Sequence, residues 1–202
     1  AGSGAAVCRF VAYLGEPVSL DLLLTRPRHS IIHQSYQSRL REEPLNGDGF
    51  GVAWYKPEIS PEPAVFRSIQ PAWNNANLVH LARVTRSGAV FAHVRAASMG
   101  LEVSEANCHP FVRGRYAFMH NGTLCGFPGN KRRLQQGLSD GAFTTIRGST
   151  DSEHLFAMFL DRIAGQSGAA SGAIATPWPT PCAPRWPWRA PRGPGRRGRR
   201  RG

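Results

Sequence analysis

Cysteine is scarce in this 202-residue chain: Cys8, Cys108, Cys125 and Cys182 are the only four, and no two make a CxxC pair or a regular spacing. That pattern speaks against a zinc site or a disulfide framework and suits a reducing cytoplasm. Long hydrophobic runs are missing as well. Without some twenty consecutive apolar residues there is no candidate membrane span. The opening Ala1–Val7 has neither the basic start nor the apolar stretch of a secretion signal. There is no GxGxxG and no P-loop, so a nucleotide fold has no sequence support. Acidic residues stop at Asp161.

That last absence explains the charge. A net +12 looks like a nucleic-acid binder until it is located: Arg185, Arg189, Arg192, Arg196, Arg197, Arg199, Arg200 and Arg201 supply eight of the 25 basic residues. The other 17 nearly balance 13 acids. From about Gly165 the composition turns to Gly, Ala and Ser and then to Pro, Trp and Arg. Pro177, Pro179, Pro181, Pro184, Pro187, Pro191 and Pro194 oppose helix and central strand alike. Residues 165–202 are expected to be a disordered Pro/Arg-rich tail. Its Trp178, Trp186 and Trp188 could stack on bases, but nucleic acid is not the expected partner. Residues 1–7 are expected to be an extra leader, with Val7 standing where an initiator Met would be. What remains, 8–164, is one domain of ordinary size, long enough to bury a core.

Within it, strand and helix patterns alternate. Cys8–Leu14 reads as a first strand and Ser19–Thr25, with Leu20, Leu22, Leu23 and Leu24, as a short helix. Gly51–Tyr55, Ala64–Ile69, Ala89–Val94 and Tyr116–Met119 are short, β-branched or aromatic, and bounded by turn residues. Asn74–Arg86 has a helical face of Leu78, Leu81, Ala82 and Thr85, capped by Asn74 or Asn75. Ser152–Ala164 carries the stripe Leu155, Phe156, Phe159, Leu160 and Ile163, with Thr150 and Glu153 spaced as a capping box.

Polar clusters punctuate these elements, and each has an ordinary and a functional reading. Cys8 is either a small thiol in a strand or a nucleophile. A terminal Cys carries its own base, since the α-amine titrates at roughly 7.7–8.0 and the thiol near 8.5. Asn46-Gly47-Asp48-Gly49-Phe50-Gly51 is a tight turn, or a place where backbone approaches another group. Arg95, ending the strand of His93-Val94-Arg95, could form a surface ion pair or hold a carboxylate through two parallel hydrogen bonds. His109, in the Asn107-Cys108-His109-Pro110 loop, is structural or functional. His120-Asn121-Gly122 offers a side-chain amide and an unhindered backbone N–H, the two donors that an oxyanion hole needs. Asp151 opens a helix, where capping competes with ammonium binding.

Taken together, Cys8-Arg9-Phe10, the Asn46–Gly51 turn, His93-x-Arg95, Asn107-x-His109-Pro110, His120-Asn121-Gly122 and Ser149-Thr150-Asp151-Ser152-Glu153 resemble class II glutamine amidotransferases in content and order. The resemblance covers about 8–164. It is closest to the amidotransferase-like subunit of the fungal glutathione-degradation complex and its bacterial relatives. Leu24-Thr25-Arg26-Pro27-Arg28-His29-Ser30-Ile31-Ile32, Leu45–Val52 and Pro71-Ala72-Trp73-Asn74-Asn75 carry that closer match.

The resemblance implies an α+β fold, the αββα sandwich of the N-terminal nucleophile hydrolases, here incomplete at the C-terminus. It implies that Cys8 attacks a γ-glutamyl carbonyl with its α-amine relaying the proton. Asn121 and Gly122 would hold the oxyanion, Arg95 the α-carboxylate and Asp151 the α-ammonium, while Ser98 and His109 would line or support the pocket. The resulting thioester would be hydrolysed to glutamate with no metal or organic cofactor. The implied substrate is a small γ-glutamyl compound, glutathione or glutamine, and the implied partner a peptidase-like subunit. Two alternatives stand beside it: a glutaminase subunit supplying ammonia to a partner synthase, and a non-catalytic remnant with a basic tail.

Overall fold

Alternation along Arg9–Ser19 gives a strand with two different faces. Val11 and Tyr13 pack on a helical layer, while Phe10 and Leu14 project the other way, 50% and 89% exposed. The computed structural model describes residues 8–36, 46–96 and 102–168. In it this strand (β1) pairs antiparallel with Arg86–Val94 (β4). Strand β4 pairs in turn with Phe50–Lys56 (β2), and β2 with Ser60–Ser68 (β3), so the sheet order is β1-β4-β2-β3.

The core fills one side of this sheet. Leu20 and Leu24 of Leu20–Leu24 (α1), Ile31 and Ile32 of Ile31–Tyr36 (α2), and Leu78 and Ala82 of Ala76–Val84 (α3) meet Phe50, Val52, Val90, Ala92 and Val94. Because side chains alternate along a strand, sending Ala92 and Val94 into this core turns His93 to the opposite face.

On that opposite face sits a second, two-stranded sheet, Phe111–Arg113 (β5) and Tyr116–Phe118 (β6). Arg67 of β3 donates Nε and Nη2 to the Pro110 carbonyl at 3.0 and 2.6 Å, and Tyr55 of β2 donates its hydroxyl to the Arg115 carbonyl at 3.0 Å. Beyond the hairpin lie Phe127–Gln136 (α4), Asp140–Phe143 (α5) and the long helix Asp151–Gly168 (α6). Phe156 of α6 stacks on Phe118 at 5.4 Å and Phe159 meets Tyr116 edge-on. Helices, sheet, sheet and helices thus follow one another in the order expected of an α+β sandwich.

Several elements differ in detail from the sequence reading. Strand β1 runs on to Ser19 through a register break between Leu14 and Val18. The stretch expected as one helix from Asn74 is a 3-10 turn, Ala72–Asn74, followed by α3, and Asn75 caps α3 by accepting from the Leu78 N–H at 2.9 Å. Helix α6 continues to Gly168, past the Gly165 start expected for the tail, since extending a nucleated helix adds a backbone bond for each residue fixed. Residues 1–7 and 169–202 lie outside the described residues. Cys8 and Cys108 are not disulfide-bonded.

Candidate active site

Strand β1 presents Cys8 just before its first residue, half-buried at the end of the sheet. The Ala96 backbone N–H points at its sulfur at 3.4 Å, and the thiol lies 3.5 Å from the Ala96 carbonyl. From the far end of the chain's fold, the Asn121 side-chain amide donates to the Cys8 carbonyl at 3.1 Å. The sheet and the turn after β6 therefore bring Cys8 and the Asn121–Gly122 pair together. Cys108 has a different environment. It is fully buried, and burial pushes its thiol pKa up, which disfavours the thiolate.

Arg95 follows β4 directly, and its backbone is held in place by the glycine-dense turn. Its N–H donates to the Gly49 carbonyl at 2.8 Å and its carbonyl accepts from the Asp48 N–H at 3.2 Å. The side chain is only 4% exposed. Nη2 donates to the Glu102 carbonyl at 3.2 Å, while Nη1 is buried with no hydrogen-bond partner among the described residues. A buried guanidinium nitrogen in that state is strongly biased towards an incoming anion.

His93 and His109 stack face to face at 4.4 Å, and His109 tilts against Phe111. Among the described residues neither ring has a hydrogen-bond partner at either nitrogen. Desolvation, reinforced by the Arg95 charge, lowers the His93 pKa to about 3. Burial and the neighbouring His93 hold His109 well below its ordinary value. Two neutral imidazoles thus lie within the field of the Arg95 and Arg67 charges. Gly51 makes room for this arrangement: a Cβ there would run into the His109 carbonyl, so only glycine lets the 102–110 loop lie flat on β2.

Asp151 sits at the start of α6. One carboxylate oxygen accepts from the Leu124 N–H at 2.7 Å and the other from the Ser152 N–H at 2.8 Å. It pins the loop that follows Asn121 and Gly122; the second oxygen also accepts from the Ser152 hydroxyl at 3.3 Å, while the oxygen bound to Leu124 keeps a further lone pair for a donor. Only half of the expected capping box forms. Thr150 Oγ1 accepts from the Glu153 N–H at 3.2 Å, but the Glu153 carboxylate reaches back to the N–H groups of Arg147 and Gly148 at 2.8 and 2.7 Å.

Sequence reasoning missed the hub of this region, Asn107. Its Nδ2 donates to the Glu102 carbonyl, the same one that Arg95 uses, at 3.0 Å and to Ser149 Oγ at 3.2 Å, while its Oδ1 accepts from the Ser149 N–H at 2.8 Å. A Cβ on Gly148 would collide with that Oδ1. The signal was present in the Asn107-x-His109 motif, but an asparagine in a polar loop looks the same whether it bonds backbone or solvent. His120 and Ser152 were likewise passed over. Ser98 lies outside the described residues. Among the described residues no group of three His, Cys, Asp or Glu side chains is placed to hold a metal ion, and no helix is long and apolar enough to cross a membrane. An open cavity of about 470 Å³ between the β5–β6 turn and the α5–α6 pair, lined by Arg113, Tyr116, Ser139, Leu160 and Ile163, includes none of the residues above.

Residues 25–179 match the family described as class-II glutamine amidotransferases. The protein of Saccharomyces cerevisiae described as "Probable glutamine amidotransferase DUG3" is 52% identical over 164 residues, which cover 78% of this chain and 46% of that protein. The γ-glutamyl-hercynylcysteine sulfoxide hydrolase of Mycolicibacterium smegmatis is 35% identical over 119 residues, 58% of this chain and 52% of the relative. Among solved structures, a glutamine aminotransferase class-II domain protein from Silicibacter pomeroyi superposes with a TM-score of 0.53 at 32% identity, covering 78% of this chain and 55% of that one. The chain spans about half the length of the curated relatives it matches.

Proposed function

The chain belongs to the class II glutamine amidotransferases, and on that premise we propose that it hydrolyses a γ-glutamyl amide bond with Cys8 as the nucleophile. The observation that carries the proposal is the meeting of Cys8 with Asn121 across 113 positions of sequence, beside a buried Arg95 with an unpaired Nη1. Cys8 precedes the span matched by the family, so its role rests on this geometry and on the sequence resemblance.

In this reading Cys8 acts as the first residue of the working enzyme. Its α-amine takes the thiol proton, and the thiolate attacks the γ-carbonyl carbon. The carbonyl π pair moves to oxygen, where the Asn121 amide and the Gly122 N–H receive it. The amine leaves with the proton, and a γ-glutamyl thioester remains on Cys8. Arg95 clamps the α-carboxylate and Asp151 the α-ammonium, which selects the glutamyl head. His109, backed by His93, walls the pocket as a neutral ring, and Ser98 is assigned to the same pocket. Water then releases glutamate. A thiol nucleophile requires a reducing compartment, and the cytoplasm is the one we assign.

Glutathione is the substrate that we favour, because two of the similar proteins are named for glutamine amidotransferase and for γ-glutamyl hydrolase functions, the second on a cysteine derivative. A peptidase-like partner would then consume cysteinylglycine. Chains that begin at Cys8, incubated with glutathione and with glutamine, test the proposal by their products. Release of glutamate with cysteinylglycine supports it, and ammonia released from glutamine alone transfers the assignment to a glutaminase that feeds a partner synthase. Equal turnover by Cys8→Ala sinks both.

A further inference from the structure

Arg9 has no part in the reading above. Alternation along β1 puts it on the same face as Val11 and Tyr13, yet its half-buried side chain turns back and Nη1 donates to the Cys8 carbonyl at 3.1 Å. The same oxygen accepts from the Asn121 amide at 3.1 Å. Two donors, one from β1 and one from the turn after β6, thus occupy both lone pairs of that carbonyl. Asn121 is neutral, whereas a guanidinium is permanently charged. Within a single residue the carbonyl oxygen lies about 3–5 Å from its own nitrogen and side-chain sulfur. The Arg9 cation therefore stands within about 8 Å of both groups that share a proton in the attack. A cation at that range disfavours a protonated amine and favours a thiolate.

Among the described residues, the other ionisable groups around Cys8 do not duplicate this charge. Arg95 adjoins Ala96, whose N–H meets the Cys8 sulfur, but its charge is assigned to the substrate carboxylate and is compensated once substrate binds. Cys108 of the 102–110 loop interacts with Cys8 and stays a thiol, because burial pushes its pKa up. His93 of β4, His109 of the loop and His120 beside Asn121 are neutral near pH 7, since desolvation lowers the pKa of each. Asp151, at the start of α6, is held by the Leu124 and Ser152 N–H groups and assigned to the substrate ammonium.

We propose that Arg9 is a positioning residue for the nucleophile: it clamps Cys8 by its carbonyl and, as a fixed cation, keeps the α-amine of the chain that begins at Cys8 in its unprotonated, proton-accepting form near neutral pH. The proposal rests on the assignment of Cys8 as N-terminal nucleophile. A protonated amine cannot take the thiol proton, so the acid limb of the rate profile marks the ionisation of the amine. Repulsion between Arg9 and the ammonium moves that limb to lower pH. The effect persists in the substrate complex, because the α-carboxylate compensates Arg95 and not Arg9.

Two pH profiles of the full chain processed to Cys8 test this. Hydrolysis of glutathione and of glutamine gives the limb in turnover. Alkylation of Cys8 by iodoacetamide, followed by mass spectrometry of the Cys8 peptide, reads the nucleophile without substrate. Arg9→Gln and Arg9→Met should raise the acid limb of kcat/KM by about one pH unit, roughly a tenfold loss of rate at a fixed pH on that limb. The pH of half-maximal alkylation should rise in the same variants. Arg9→Lys keeps the charge and should return both profiles towards those of the unmodified protein. An unshifted limb in the neutral variants, whatever their plateau, overturns the proposal, as does a shift that Arg9→Lys fails to reverse, while the Cys8 assignment stands. Full turnover by Cys8→Ala removes that assignment and this proposal with it.

Discussion

Arg95 is 4% exposed with Nη1 unpaired, a state that costs stability unless something anionic arrives. Lysine at this position would keep the charge and lose the planar fork that grips a carboxylate with two parallel bonds. Arg95→Lys is expected to raise KM roughly 10- to 100-fold with a smaller effect on kcat, measured by initial rates on glutathione and glutamine. Asn121 is the complementary case, since its amide is assigned to the transition state. Asn121→Ala should lower kcat on the order of 10²–10³-fold and leave KM close to its starting value, in the same assay. A fall in KM-limited binding without loss of kcat would place Asn121 in substrate binding instead. Type and order in the sequence single out both residues as candidates. The bonds of Asn107, His120 and Ser152 are not legible there, because no spacing encodes which group a polar side chain faces.

At the scale of elements, the start of α6 and the 102–110 loop are locked together through Asn107. Removing its amide takes away the partner of the Ser149 N–H and leaves the Glu102 carbonyl with Arg95 Nη2 as its donor. Asn107→Ala should cost about 1–3 kcal/mol in urea unfolding, and it should also raise KM, because the Glu102 carbonyl positions Arg95. Strand β4 and the same loop meet at the stacked histidines, and this contact is sensitive to acid. The His93 pKa falls from 6.5 to about 3 on folding, so between those values the unfolded chain binds more protons than the native one. Stability from this source is complete above about pH 6.5 and declines as pH falls towards 3, by at most about 1.4 kcal/mol per pH unit. His93→Phe keeps the ring volume without a titrating group. Unfolding free energies measured from pH 7 to pH 4 should decline less steeply in that variant. Helix α3 and its Asn75 cap were legible beforehand, since the cap and the apolar face coincide in sequence. Helix α4 was not: it buries no residue, so no apolar stripe marks it.

For the whole molecule, the layer order follows from two facts of patterning. β2 and β4 carry small or apolar residues on both faces, which requires cover on both, whereas β1 leaves Phe10 and Leu14 exposed at the sheet's edge. In the sequence the sandwich was legible through the family resemblance, but the shortness of the second sheet was not, because β5 is three residues and gives no alternation to read. The layers serve one end: they place the Cys8 thiol against the Ala96 amide and the Cys8 carbonyl on the Asn121 amide, while Cys108 is sealed beneath Gly49 and Ser68. The central claim is that the first of these two thiols, and not the second, does the chemistry. The direct test compares γ-glutamyl hydrolysis by the Cys8-initiated chain with that of Cys8→Ala and Cys108→Ala. Loss of turnover in Cys8→Ala with activity retained in Cys108→Ala is the predicted result. Retained turnover in Cys8→Ala would contradict it.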